Sequence, residues 1–171
     1  MPKSESTNIT LRQAAPGDAS GIMQVHRDAA FTMSAKHYDR HILDAWSPVS
    51  PERLQGIEKL IQETPDQGLL LVAEMAGRVS GFGRLVFSTA EIASLYVSPN
   101  CAGMGLGTKI LSELESAARK RGLVSLWLHA ALNAEEFYSR CGFTSDCKVE
   151  YQLPAGVTMP VIKMHKQLSA E

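Results

Sequence analysis

No stretch of this sequence approaches the ~20 consecutive apolar residues that a membrane-spanning helix needs. The polar N-terminus, Met1 to Ser6, also lacks the apolar core of a secretory leader. Both absences place the expected location in the cytoplasm, away from any membrane. An excess of either charge is missing too: 17 Lys and Arg against 18 Asp and Glu leave a formal net charge of −1. A protein that grips nucleic acid needs a basic surplus, so none is expected as a partner. Cysteine is scarce. Cys101, Cys141 and Cys147 have neither paired nor metal-ligand spacing and read as reduced structural thiols. Internal repeats and low-complexity segments are absent as well.

What is present suits one compact domain. At 171 residues, folding should bury roughly 70% of the unfolded chain's surface, enough for an unaided core. Residues 1–8 read as a frayed terminus. Ile9 to Ala14 alternates as a short strand, and Asp18 is placed to cap a helix bearing Ile22, Met23, Val25 and Ala29. One or two helices are expected between Ala35 and Thr64, with Ile42, Leu43 and Trp46 on one face. Leu54, Ile57, Leu60 and Ile61 share another, and Pro48 and Pro51 separate the two.

At Gly68 the periodicity changes from helical to alternating. Leu69–Met75, Val79–Phe87 and Glu91–Val97 predict three antiparallel strands joined by turns at 76–78 and 88–90. Pro99 ends the third. A helix is expected from near Gly105 to Gly122, with Leu106, Ile110, Leu111, Leu114, Ala117 and Ala118 on its apolar face. Its basic end, Arg119 to Arg121, suits the negative pole of the helix dipole. Strands are expected at Leu123–His129, Phe143–Leu153 and Val161–Leu168, with a short helix at Ala134–Arg140. The order predicts a mixed α/β (α+β) sheet with helices on its faces.

The connection from Val97 to Thr108 carries glycine at 103, 105 and 107. Backbone amides can reach a phosphate only where side chains do not intervene, and the first turn of a helix offers N–H groups without internal partners. An anion site is one reading; a flexible turn with helix-start glycines is the other. A Walker loop is excluded because Thr108-Lys109 follows Gly103 where Gly-Lys is required. A Rossmann fingerprint is excluded because the glycines are too closely spaced and no acid lies near Trp127.

Downstream stand Asn133, Phe137, Tyr138, Gly142 and Phe143. Together with Val97, Pro99, Gly103, Gly105 and Gly107, in this order and separation, they resemble the GNAT superfamily of N-acyltransferases. The specific match runs from about Ile92 to Phe143; the N-terminal third agrees only in element order. One departure is Ala102, where many relatives carry Arg or Gln.

The resemblance implies a largely antiparallel sheet of about seven strands, splayed between the fourth and fifth. It implies acetyl transfer from acetyl-CoA, a co-substrate, to a primary amine of a small molecule or peptide by direct attack. The pantetheine arm would lie along Leu95, Tyr96 and Val97 and be fixed by Asn133. The pyrophosphate would meet the loop of Ala102, Gly103, Met104, Gly105, Leu106, Gly107 and Thr108. Tyr138 matches the usual general acid. Glu91 is the candidate base, with Glu74 and His129 as weaker alternatives, and no metal is expected. His26, His37, His41 and Trp46 fall in the region that shapes the acceptor pocket in this family. A non-catalytic acyl-CoA-binding sensor or scaffold of the same fold is the alternative, and an enzyme for another acyl chain or acceptor a third. The last two strands are candidates for pairing across a dimer.

Overall fold

A computed structural model describes residues 8–169 of the chain. The expectation of fraying over 1–8 therefore falls, except for Asn8, outside the described residues. Seven strands form one sheet in the order β1-β2-β3-β4-β5-β7-β6. They are β1 (Ile9–Gln13), β2 (Gly68–Met75), β3 (Arg78–Val86), β4 (Glu91–Val97), β5 (Ser125–Ala131), β6 (Thr144–Gln152) and β7 (Thr158–Gln167). Every neighbouring pair is antiparallel except β4 and β5. Five helices accompany the sheet: α1 (Ala19–Met33), α2 (Arg40–Trp46), α3 (Pro51–Gln67), α4 (Leu106–Lys120) and α5 (Glu135–Arg140). Among the described residues no helix is long and apolar enough to cross a membrane. The three cysteines are free thiols.

The period of two along β2 divides the core. Leu71 and Ala73 join Leu85, Ile110, Leu111 and Leu114 beneath α4, whereas Leu70 and Val72 join Ile22, Val25, Ile57 and Ile61 beneath α1 and α3. Helix α4 lies close on β3 because Gly83 leaves room for it. A Cβ there would stand 2.6 Å from Ile110 Cγ2 and 3.0 Å from Leu114 Cδ1.

Four sequence expectations are corrected. Asp18 does not cap α1 with its side chain. Its carboxylate accepts from Ala15 N at 2.7 Å and pairs with Arg12, which holds it below the usual carboxylate range. Helix α3 continues past Thr64 to Gln67, through Pro65. The chain closes beyond the proline because Gly68 N donates to Thr64 O. Strand β5 begins at Ser125 rather than Leu123, whose N–H instead closes the end of α4 on Ala118 O. Strand β7 begins at Thr158 rather than Val161 and includes Pro160. That proline is tolerated because β5 pairs with β7 only from Val161 onward. Of the last two strands, β6 forms the sheet edge and β7 lies inside it.

The fit of α4 on β3 gives a direct test. Gly83→Val should destabilise the protein by about 2–3 kcal/mol, the scale of an overpacked core. Urea denaturation reads this as a lower midpoint at unchanged slope. An unchanged midpoint would show that α4 does not rest on that face.

Candidate functional site: a cleft between parallel strands

Strands β4 and β5 are joined at a single bridge, Glu91 opposite Trp127. Trp127 N donates to Ala90 O at 3.1 Å and its indole Nε1 to Thr89 O at 2.8 Å. Beyond this anchor the strands separate. The register of β3 and β4 shifts between Arg84 and Leu85, leaving Ala93 as a bulged residue, and bulges re-aim the strand that carries them. A cleft of about 270 Å³ opens here, lined by β4, the far end of β5 and the C-terminal part of α1.

Nine of the sequence candidates meet in it. Glu91, Leu95, Tyr96, Val97, Gly107, Asn133 and Tyr138 all line the cleft, as do His129 and Trp46. Of the loop, only Gly107 reaches the cleft wall; Ala102, Gly103, Met104, Gly105, Leu106 and Thr108 lie outside that lining. Leu106 turns its side chain into the core, at 1% exposure. His37 and His41 stay out of the lining. Glu74 accepts from Arg12 on β1, at 3.0 Å, and is tied up there. Among the described residues no group of three His, Cys, Asp or Glu could hold a metal ion.

The loop has the geometry an anion would need. Gly103 and Gly105 adopt φ of +77° and +75°, and a Cβ at either would meet nothing within 4 Å. Backbone conformation, rather than crowding, requires glycine there. The amides of Gly103, Gly105, Leu106, Gly107 and Thr108 have no backbone partner, while Lys109 N begins the ladder on Gly105 O. Free N–H groups thus collect at the positive end of α4. Gly107 joins loop to cleft: a Cβ on it would lie 3.2 Å from the Phe137 ring.

Tyr138 packs edge-on between Phe137 and Phe143, at 5.1 and 5.6 Å between centroids. Burial and then the neighbouring Tyr96 phenol push its pKa above the ordinary tyrosine value, so the hydroxyl keeps its proton at neutral pH. Burial raises Tyr96 in the same way. Asn133 Oδ1 accepts from Ser34 Oγ at 2.8 Å, tying the end of α1 to the lip of β5. His129 stands below the normal imidazole value, chiefly through burial, with Glu91 opposing and Lys163 assisting. Its Nδ1 is buried without a partner.

His26 lies behind the wall rather than in it. It stacks on Tyr96 at 4.3 Å and meets Trp46 edge-on at 5.3 Å, with Nε2 buried and unpaired. Met33, Ser34 and Tyr151 are cleft residues that the sequence did not single out. A hint for Tyr151 lay in the alternation of β6, but only the pairing with Met159 on β7 brings it to the cleft.

A family model described as "Acetyltransferase (GNAT) family" matches residues 31–143. The fold is similar to a GCN5-related N-acetyltransferase from Rhodopseudomonas palustris, with a TM-score of 0.84 and 24% identity. That alignment covers 97% of this chain and all of the other. It is similar also to the paiA N-acetyltransferase of Thermoplasma acidophilum, solved with coenzyme A, with a TM-score of 0.77 and 20% identity over 94% and 99% of the two chains. A third similar structure is yncA of Salmonella typhimurium with acetyl-CoA, at a TM-score of 0.67 and 24% identity over 96% of each chain. In sequence, 57 residues are 40% identical to an uncharacterized N-acetyltransferase of Methanocaldococcus jannaschii. They span 32% of this chain and only a quarter of that protein's length.

The unpaired imidazole behind the wall predicts a pH dependence. Burial, then the charge of Arg53, lowers the His26 pKa from 6.5 to about 3. Between these values the unfolded chain binds a proton that the folded chain refuses, so stability falls as pH drops through that window. Urea midpoints at pH 7 and pH 5 should show the loss, and His26→Gln should reduce the difference. An equal difference in the variant would assign it to other groups.

Proposed function

The chain belongs to the acetyltransferase (GNAT) family, and from that membership we propose that it moves an acetyl group from acetyl-CoA to a primary amine. The observation that carries the proposal is the continuity of two features. A set of unpartnered loop amides sits at the end of a cleft whose β4 wall, beyond the Glu91 bridge, has no strand paired on its β5 side. Such a cleft suits a donor with an anionic head and an extended arm that hydrogen-bonds like a strand.

In this reading the free amides of Gly103, Gly105, Leu106, Gly107 and Thr108 hold the pyrophosphate. Ala102 supplies no charged side chain, so the backbone carries the contact. The main chain of Leu95 to Val97 holds the arm, and Asn133 faces it from the β5 side. Glu91 lies further along the same wall and takes the proton of the incoming ammonium, directly or through water near His129. An alkylammonium has a pKa near 10, so at neutral pH this proton must be removed before the nitrogen can attack. The nitrogen then forms a bond to the acetyl carbon as the carbon–sulfur bond breaks, and the second proton it sheds to become an amide balances the one the CoA thiolate takes up. Tyr138, which keeps its proton, donates a hydrogen bond to the departing sulfur. Cys141 lies next to the site, but burial raises its thiol pKa and disfavours a thiolate nucleophile.

Two variants separate binding from chemistry. Calorimetric titration should show acetyl-CoA binding to wild type and its loss in Gly105→Glu. Tyr138→Phe should leave the donor dissociation constant within about twofold while lowering kcat by roughly 10²–10⁴-fold. Absence of donor binding to wild type would overturn the donor reading. Full turnover by Tyr138→Phe would remove that residue from the mechanism.

A further inference from the structure

We infer that the acceptor is a hydrophobic monoamine with an aromatic body, held by Trp46 and Tyr151 while its ammonium faces Glu91. The inference rests on the acetyl-transfer reading above and names the class of amine.

The cleft is nearly free of charge. Glu91 is the sole carboxylate among its lining residues, and no lysine or arginine is among them. The charged groups nearby act from outside that lining: Arg53 on His26 and Tyr96, Glu150 on Tyr38, Lys163 on His129, and the partly buried Arg84 of β3 on Glu91 itself. One ammonium can therefore be paired, but additional charges on a polyamine held within the lining would be without partners. A carboxylate or phosphate on the acceptor would meet no cation. Burying a charge without a partner is strongly unfavourable, so the lining selects against all three.

Beside the polar Ser34, Ser94, His129 and Asn133, the cleft has an apolar patch that comes from widely separated elements. Met33 ends α1, Trp46 ends α2, Tyr151 lies on β6, and Met159 and Val161 lie on β7. Trp46 is held at a fixed angle by Tyr96 and Tyr38, with centroids at 5.8 and 5.9 Å. Tyr38 is itself fixed, its hydroxyl donating to Pro160 O at 2.7 Å and accepting from Leu132 N at 2.8 Å. Tyr151 meets His129 edge-on at 5.4 Å, so an aromatic ring stands beside the Glu91 end of the cleft. Met33 and Tyr151 are 44% and 43% exposed, giving an apolar rim open to solvent. A flat apolar body entering from outside fits such a rim.

The test uses the full chain and acetyl-CoA, with release of the CoA thiol as the readout. Phenethylamine and tryptamine should exceed spermidine, free lysine and a phosphorylated amino sugar in kcat/KM by at least roughly tenfold. Tyr151→Ala should raise the KM for tryptamine about tenfold, leaving the acetyl-CoA dissociation constant within about twofold. The exposed tyrosine is the informative variant, because Trp46 also packs into the aromatic cluster; Trp46→Phe is the conservative companion. Preferred turnover of spermidine, lysine or the amino sugar overturns the inference and leaves acetyl transfer standing. So does acetyl-CoA binding with no turnover of either aryl amine. Tighter binding of a longer acyl-CoA, lost in Tyr151→Ala, would assign the apolar surface to the acyl chain and overturn it too. If acetyl-CoA itself does not bind, the parent reading fails and this one with it.

Discussion

The single bridge between Glu91 and Trp127 is the constraint on which the rest of the site depends. A strand within a sheet satisfies its main-chain groups on both sides; β4 does so on the β3 side only. Trp127 fixes where pairing stops, with one main-chain and one indole bond to the turn before β4. The bulge at Ala93 then redirects the strand. Separation of β4 from β5 creates the cleft, leaves a β4 edge without a protein partner, and delivers the chain to the glycine loop at its end. Were the pair zipped along its length, Asn133 and Tyr138 would have no common space with Leu95.

A second property is the way burial treats the ionisable groups around this space. Tyr138 and Tyr96 are held in their neutral forms, and His129 and His26 are pushed the same way. Desolvation is the leading cause in all four cases. Within a cleft walled by neutral dipoles and rings, Glu91 is the one charged lining residue, with Arg84 acting on it from outside the lining, and low dielectric strengthens whatever that carboxylate contacts. The strong ion pairs of the chain are placed elsewhere. Arg12 binds Asp18 and Glu74 on the far side of the sheet, and Lys166 binds Glu115 and the Cys141 carbonyl beneath α4.

Much of this was legible in the sequence because it is local. The alternation of β2, the helical spacing of Leu106 to Ala118 and the loop glycines each report on their own segment. What escaped is set by contacts between distant segments. The last strand was expected only from Val161, yet it begins at Thr158, and Pro160 fits in it because β5 ends before reaching it. Asp18 had the residue type of a cap, but Arg12 and the Ala15 amide claim its oxygens. Glu74, the weaker candidate base in the sequence, is held by Arg12, an interaction between strands that no local pattern reports. Trp46 and Tyr151 stand 105 positions apart, and only the sheet order brings them to one cleft. Residue roles carried by pairing and long-range burial are invisible to periodicity.

The close seat of α4 on β3 has a consequence beyond packing. At Gly81 and Gly83 hydrogen atoms occupy the places where side chains would meet Ile110 and Leu114. The helix is a stiff rod whose first turn forms part of the loop, so its height above the sheet sets how far those amides project. A change in the middle of β3, some twenty residues earlier in the chain, is thereby transmitted along the rod as by a lever. Two vacancies in a strand act as the depth gauge for the loop at the end of the rod.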